Sequence, residues 1–278
     1  MTDEELLTLQ EAADHLRVHY MTAYRWVRLG RLPAYKTGGR LRVRRSELER
    51  FLAEREVDVV SPGKSGGRTG WEEHRNRFCE LLVSGEGVEA DRLVRRVIAD
   101  GATAGDVYLL LITPALRRVG AMWAEGNLLI AVEHRATEIC LGIMARLAET
   151  FRRPGPLRGT AVAFGPPDEE HVLATTMLAD FLRAAGYEAH NLGVSVPIDD
   201  LAKFLGLVRS DVLCVSLTVP NADVYAPIVK VAREGLGAPP VVFGGQGVDA
   251  DLARAAGGHV LTDVRHLAET VEALTGSG

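Results

Sequence analysis

Apolar positions along the chain change their period twice. In residues 1–57, short amphipathic stretches alternate with tight turns. Thr8-Leu9-Gln10-Glu11 has the Thr-x-x-Glu spacing of a capping box and opens a helix whose inner stripe is Ala12, Ala13 and Leu16. A second helix fits residues 20–29 and stops at Gly30, placed as a C-terminal cap. Leu32-Pro33 leads into a strand at Tyr35-Lys36. Thr37-Gly38-Gly39 is a turn, and Leu41-Arg42-Val43 is the return strand. Ser46 to Glu49 repeats the capping-box spacing and starts a third helix reaching about residue 55. Two short helices joined by a tight turn, followed by a two-stranded wing, predict a winged helix-turn-helix.

Residues 58–70 are rich in Gly, Ser and Pro and read as a flexible linker. Beyond it the apolar positions recur at steps of three and four. Helices are expected at 71–85, 88–100, 104–124 and 128–151, separated by breaks at 84–87, Gly101 and Gly126. Four amphipathic helices with short connections predict a four-helix bundle over 71–151, with Pro114 at a helix start or a kink. From 159 to 278 the pattern changes again. Candidate strands at 160–164, 188–192, 212–217, 241–243 and 260–261, most of them apolar, alternate with helices near 171–185, 198–208, 222–235, 249–256 and 264–274. Five such units predict a parallel, doubly wound, flavodoxin-like sheet. The fold class is therefore multidomain, α followed by α/β.

Composition changes this picture at one place. The 278 residues are 47% hydrophobic and 25% charged, as in ordinary globular chains. No apolar run approaches the ~20 residues that span a bilayer, so no membrane partner is expected. The acidic start, MTDEELLTL, is unlike a signal peptide, and the expected location is cytoplasmic. Cys79, Cys140 and Cys214 lack metal-ligand spacing and read as buried small hydrophobes. The net charge of −5, however, conceals an island. Between residues 17 and 50 ten Lys/Arg face two acids, a local footprint for a polyanion. On the second helix Tyr20, Thr22, Arg25 and Arg28 are the candidates for double-stranded DNA, with Thr22, Arg25 and Tyr20 toward base edges. Lys36, Arg40 and Arg42 on the wing are candidates for phosphate. Trp26, one step from the face bearing Arg25 and Arg28, is assigned to the core.

Two further sets of residues carry candidate chemistry. In the last two bundle helices Trp123 is followed, after nine residues, by Glu133-His134. Adjacent helical residues diverge by about 100°, so at least one of the pair lies near the packed face. From this run alone a surface Glu-His pair remains the alternative. In the α/β region three loops follow strands on the side where such sheets bind ligands. The first holds Glu169-x-His171, the second Ser216-x-Thr218 and the third Gly244-Gly245. No Ser-His-Asp constellation or Walker loop accompanies them, so no catalytic residue is assigned.

The module LTLQEAADHLRV…AYRWVRLGRLPAYKTGGRLRVRRSELERFL resembles the excisionase-like, MerR-related winged helices. Trp123-x9-Glu133-His134 resembles the signature of the CarH/LitR adenosylcobalamin-dependent photoreceptor regulators. The three loops resemble the motifs of cobalamin-binding Rossmann domains. Two departures stand out: Ala174 where that family has glycine, and Pro167-Asp168 where it has Pro-Gly. The resemblance implies adenosylcobalamin as cofactor. It implies His171 as cobalt's lower axial ligand, its ring fixed by Glu169 or Asp168. Ser216, Thr218, Gly244 and Gly245 would receive the nucleotide tail. Trp123 and Glu133 would hold the adenosyl group, and His134 would take the upper axial position after photolysis. The implied function is a repressor that binds operator DNA in the dark as a homo-oligomer, a tetramer by resemblance, and releases it in light. The alternatives are a corrinoid carrier of a methyltransferase system and a DNA-binding regulator that has lost cobalamin.

Overall fold

The computed structural model describes residues 6–16, 20–28, 32–37, 40–53, 68–152 and 155–276. The expected cap Gly30, the wing turn at 38–39 and most of the linker lie outside them. By internal contacts the chain forms two compact units. One comprises Met1–Ala102 with Leu109–Ile139, the other Thr103–Tyr108 with Cys140–Gly278.

The first unit begins with β1 (Leu6–Thr8), α1 (Leu9–His15), α2 (Tyr20–Arg28), β2 (Tyr35–Thr37), β3 (Arg40–Arg44) and α3 (Arg45–Ala53). Thr8 caps α1 as expected. Its hydroxyl accepts from the Glu11 amide at 3.1 Å, and the Glu11 carboxylate accepts from the Thr8 amide at 2.7 Å. Leu9, Ala12, Ala13, Ala23, Leu32, Val43, Leu48 and Phe51 form the core. Trp26 packs on it, 5.0 Å from the Phe51 ring, which agrees with its assignment as a core residue. The wing has a third strand that the pattern did not reveal. β1 pairs antiparallel with β3, giving the order β1-β3-β2. Helix α3 begins at Arg45, directly after β3, so Ser46 lies inside its first turn rather than capping it.

The helical region contains α4 (Arg68–Ser84), α5 (Gly87–Ala99), a short α6 (Ala104–Asp106), α7 (Thr113–Ala124) and α8 (Ile130–Leu147). A π-helical stretch, Val107–Ile112, joins α6 to α7 without a break. Pro114 follows it. Proline cannot donate to the carbonyl four residues back and its ring crowds that carbonyl. The wider π turn opens where this conflict would fall, which is how the helix passes through a proline. A 3₁₀ turn, Ala148–Phe151, ends α8.

The α/β region of the second unit runs β4 (Gly159–Phe164), α9 (Val172–Ala184), β5 (Tyr187–Asn191), α10 (Ile198–Leu205), β6 (Val212–Ser216), α11 (Tyr225–Glu234), β7 (Val241–Gly244), α12 (Ala250–Ala255), β8 (His259–Leu261) and α13 (Leu267–Thr275). All five strands are parallel, in the order β5-β4-β6-β7-β8. Alternate residues face opposite layers. Val162, Phe164, Leu213, Val215 and Phe243 pack with α10 and α11, whereas Ala161, Ala163, Cys214 and Val242 pack with α9 and α13. Burial on both faces explains why the inner strands β6 and β7 read as apolar runs, whereas the edge strand β5 carries Glu188, His190 and Asn191 and is only partly buried. Helix α11 starts at Tyr225 rather than near 222, because Asn221 Oδ1 accepts the Asp223 amide at 3.2 Å and holds a turn there. All three cysteines are buried, and none forms a disulfide.

Candidate functional site

Strand order reverses between β4 and β6, since β5 lies outside one and β7 outside the other. Ligand crevices of doubly wound sheets form at such a point. The loop after β4 carries Glu169 to His171, and the loop after β6 carries Leu217 to Val224. Their link is Glu169, a carboxylate only 2% exposed. Its Oε1 accepts from the His171 amide at 2.9 Å and lies 2.6 Å from His171 Nδ1. Its Oε2 accepts from the Thr218 amide at 2.5 Å and, more weakly, from the Val219 amide at 3.4 Å. Burial on its own raises this carboxyl. The Thr218 and His171 amides and the His171 ring outweigh that and hold it below the ordinary value.

His171 is the N-cap residue of α9, and its side chain is 53% exposed. A neutral ring that donates from Nδ1 to Glu169 presents the lone pair of Nε2. Nε2 has no hydrogen-bond partner among the described residues. The arrangement is that of a metal-binding imidazole whose second nitrogen is fixed by a carboxylate. Of the two acids considered, Glu169 makes the contact. Asp168 is exposed in a turn with φ of 67°.

A cleft of about 370 Å³ lies between these loops, lined by Pro167, Asp168 and Glu169 on one side and Leu217 with residues 219–223 on the other. Ser216 ends β6, nearly buried and paired in register with Gly244. Gly245, at φ 119°, has no room for a side chain, because a Cβ there would come 2.1 Å from the Leu217 carbonyl oxygen. The Gly247 amide donates to that same oxygen at 2.9 Å. Gly245 thus lets the β7 loop lie against the backbone after β6. Ala174 is half-buried in the first turn of α9.

Sequence reasoning missed three contributors. Gly165 makes room for Glu169, whose Cγ would lie 2.8 Å from a Cβ at that position. Ser195, at φ 53°, donates to the Glu169 carbonyl at 2.9 Å. The Thr218 and Val219 amides fix the carboxylate. A glycine directly after an apolar strand was a usable signal for the first, while backbone donors leave no trace in residue type.

In the other unit Trp123 stands near the end of α7, 46% exposed. Glu133 is half-buried on the first turn of α8 and accepts from the Thr137 hydroxyl at 3.1 Å. His134 is exposed, with Nε2 3.7 Å from Glu133 Oε2. In the wing module Tyr20 is exposed and stacked on Tyr24 at 6.3 Å. Lys36 is exposed on β2 and Arg42 half-buried on β3. The side chains of Thr22, Arg25, Arg28 and Arg40 lie outside the described residues.

Known families match the chain in three places. Residues 6–56 match a helix-turn-helix domain, and residues 74–148 and 159–275 match two families each described as a B12 binding domain. No curated protein matches the chain. Among solved structures, the monomethylamine corrinoid protein of Methanosarcina barkeri is 14% identical, with 72% of this chain and 97% of that one covered and a TM-score of 0.60. At that identity the likeness is one of fold. A cobalamin-binding protein from Desulfitobacterium hafniense DCB-2 (18% identity, 72% and 97% covered, TM-score 0.38) is more distant in shape. So is the methanol:cobalamin methyltransferase complex MtaBC of Methanosarcina barkeri (15%, 84% and 93%, TM-score 0.41).

The chain is therefore a cobalamin-binding protein with a DNA-binding domain, and its domains are those of a regulator or carrier rather than of a catalyst. A helix-turn-helix followed by paired B12-binding domains is the CarH-like architecture. No helix among the described residues is long and apolar enough to cross a membrane.

Proposed function

We propose that this protein is a light-responsive repressor that binds operator DNA in the dark as an adenosylcobalamin-bound oligomer and releases it on illumination. The observation that carries the reading is the buried Glu169 holding His171 by Nδ1 while Nε2 meets no hydrogen-bond partner among the described residues. These residues fit a corrin cobalt, which takes a neutral imidazole as axial ligand. His171 would be the lower ligand. Ser216, Thr218, Gly244 and Gly245 would receive the nucleotide tail, with Ala174 standing where the resembled motif has glycine. Trp123 and Glu133 would hold the adenosyl group, and His134 would close the upper position after its loss. When bound, adenosylcobalamin supplies a light-labile cobalt–carbon bond. The protein's part is to bind one state of the cofactor better as an oligomer, since a ligand shifts an equilibrium only by its differential affinity. The wing and second helix, through Tyr20, Thr22, Arg25, Arg28, Lys36, Arg40 and Arg42, would meet the operator.

The test is size-exclusion chromatography and an operator gel shift of the purified chain with adenosylcobalamin, in darkness and after green light. A larger, DNA-bound species in the dark that is lost on illumination supports the proposal. A chain that stays colourless with the coenzyme refutes it. His171→Ala should weaken cobalamin binding, and an unchanged spectrum removes it as ligand. A second reading, a corrinoid carrier, draws on the fold shared with the Methanosarcina barkeri corrinoid protein. The N-terminal helix-turn-helix argues against it, and a chain that takes up cobalamin but binds no DNA would favour it.

A further inference from the structure

The end of α4 has a capping problem that α8 resolves. The last four carbonyls of an α-helix have no intrahelical partner. Gly85, at φ 81°, turns the chain into a Schellman-type cap. The Glu86 amide donates to the Leu81 carbonyl at 2.9 Å and the Gly85 amide to that of Leu82 at 3.1 Å. The next carbonyl, Val83, has no such donor from the turn. It accepts instead from Arg135 Nη2 at 2.9 Å, across 52 residues of sequence. A cation at a helix C-terminus also opposes the negative end of the helix dipole.

Arg135 directly follows Glu133-His134. Its guanidinium lies over Gly85 so closely that a Cβ there would be 2.5 Å from Cζ. One turn further along α8, Ile139 Cγ1 would lie 3.3 Å from a Cβ on Gly87. Residues four apart share one face of a helix. Arg135 and Ile139 therefore seat one face of α8 on the turn between α4 and α5, and both glycines are small where that face arrives. Such seating fixes the rotation of α8 about its axis. A slip of one residue would re-aim Glu133 and His134 by about 100°.

We propose that Arg135 is a positioning residue, which by capping α4 sets the rotation of the first half of α8 and so the aim of Glu133 and His134. The proposal rests on the reading of Glu133 and His134 given under the proposed function. Arg135 does not itself touch the cofactor in this scheme, so its loss changes what α8 presents rather than whether cobalamin binds.

The test compares full-length wild type, Arg135→Met, Arg135→Lys and His134→Ala. Met keeps the stem and removes the donors, and Lys restores a donor and the charge. Amide hydrogen exchange is measured first on the cobalamin-free chains. Arg135→Met should speed exchange across residues 130–139 by about tenfold, the loss of one charge-assisted cap, while β4 and α9 stay as in wild type. Lys should recover part of the protection. The chains are then loaded with adenosylcobalamin in the dark and illuminated. Arg135→Met should still take up the coenzyme, and its spectrum after light should move to that of His134→Ala. Wild-type exchange in Arg135→Met overturns the proposal, and so does faster exchange with a wild-type spectrum after light. A His134→Ala chain with the wild-type spectrum after light sinks the underlying reading instead. The cofactor-free exchange then still upholds or overturns the seating of α8 by Arg135.

Discussion

The contact most open to a quantitative test is the buried Tyr108–Asp180–Arg183 group of the second unit. Asp180, on α9, is 1% exposed. Its Oδ2 accepts from the Tyr108 hydroxyl at 2.7 Å, and its Oδ1 pairs with Arg183 at 2.6 Å. Arg183 also donates to the Ala189 carbonyl at 3.2 Å. Tyr108 comes from the π-helical stretch and packs between Phe151, at 4.8 Å, and Phe181, at 6.1 Å. Tyr108→Phe deletes one oxygen, keeps the aromatic packing, and leaves a buried charged oxygen without its donor. Hydrogen bonds to charged groups contribute about 1.5–3 kcal/mol, so the loss should fall in that range. At about 1.4 kcal/mol per decade, amide exchange in β4 and α9 should quicken by roughly ten- to hundredfold. Burial pushes the Tyr108 hydroxyl above its ordinary value of 10.0, with the Asp180 hydrogen bond adding to the shift. The folded state therefore favours the protonated phenol. Its contribution is complete below the unfolded value near 10 and falls as pH rises above it. The gap between wild type and Tyr108→Phe should accordingly shrink above pH 10. Equal exchange rates at pH 7 would refute the reasoning, and so would a gap that grows in alkali.

Three other outcomes follow from the site. Gly245→Ala should cost about 2–4 kcal/mol, because its backbone is left-handed and the new methyl meets the Leu217 carbonyl; a melting temperature equal to wild type would argue against that packing. Glu169→Gln should weaken cobalamin binding by about 10–100-fold in a spectral titration, the usual effect of losing the group that orients a ligand histidine, and unchanged affinity would count against the pairing. Burial pushes the Cys214 thiol up to about 12, so a thiol reagent at pH 8 should leave Cys214 unmodified in the native chain and modify it after denaturation, and rapid native labelling would contradict its burial.

How far the residues disclose all this depends on where the information is held. The parallel sheet was legible because burial on both faces writes its inner strands as apolar runs, as in β6 from Val212 to Ser216. The Thr8–Glu11 cap was legible because both partners lie within one helical turn. The three loops after β4, β6 and β7 stood out because glycine, acid and histidine interrupt an apolar background. β1 escaped notice, since three residues are too few to show a period and its pairing with β3 is a tertiary fact. The π stretch was hidden as well. Pro114 announces a conflict but does not say whether the helix stops, kinks or widens. Tyr108 and Asp180 are 72 residues apart, and no local pattern connects them. The choice between Asp168 and Glu169 was likewise beyond the sequence, because it depends on the backbone turn at Asp168, with its positive φ.

That choice explains why the longer acid occupies the buried position. A carboxylate at 169 must meet the ring and amide of His171 with one oxygen and the Thr218 amide with the other. Those donors come from loops after two different strands, and the same anion is what both converge on. Gly165 supplies the room, and the hydroxyl of Ser195 holds the Glu169 backbone in place. The imidazole and the cleft wall formed by the β6 loop are thus tied through one side chain. Because that side chain is buried and kept anionic by its donors, moving the ring would leave Oε1 with the His171 amide alone, at a cost of about 1.5–3 kcal/mol for the lost bond to a charged group. Half-exposed histidine and buried glutamate are therefore two parts of one device: in the proposed reading the first reaches the ligand, and the second holds it still from a position out of water.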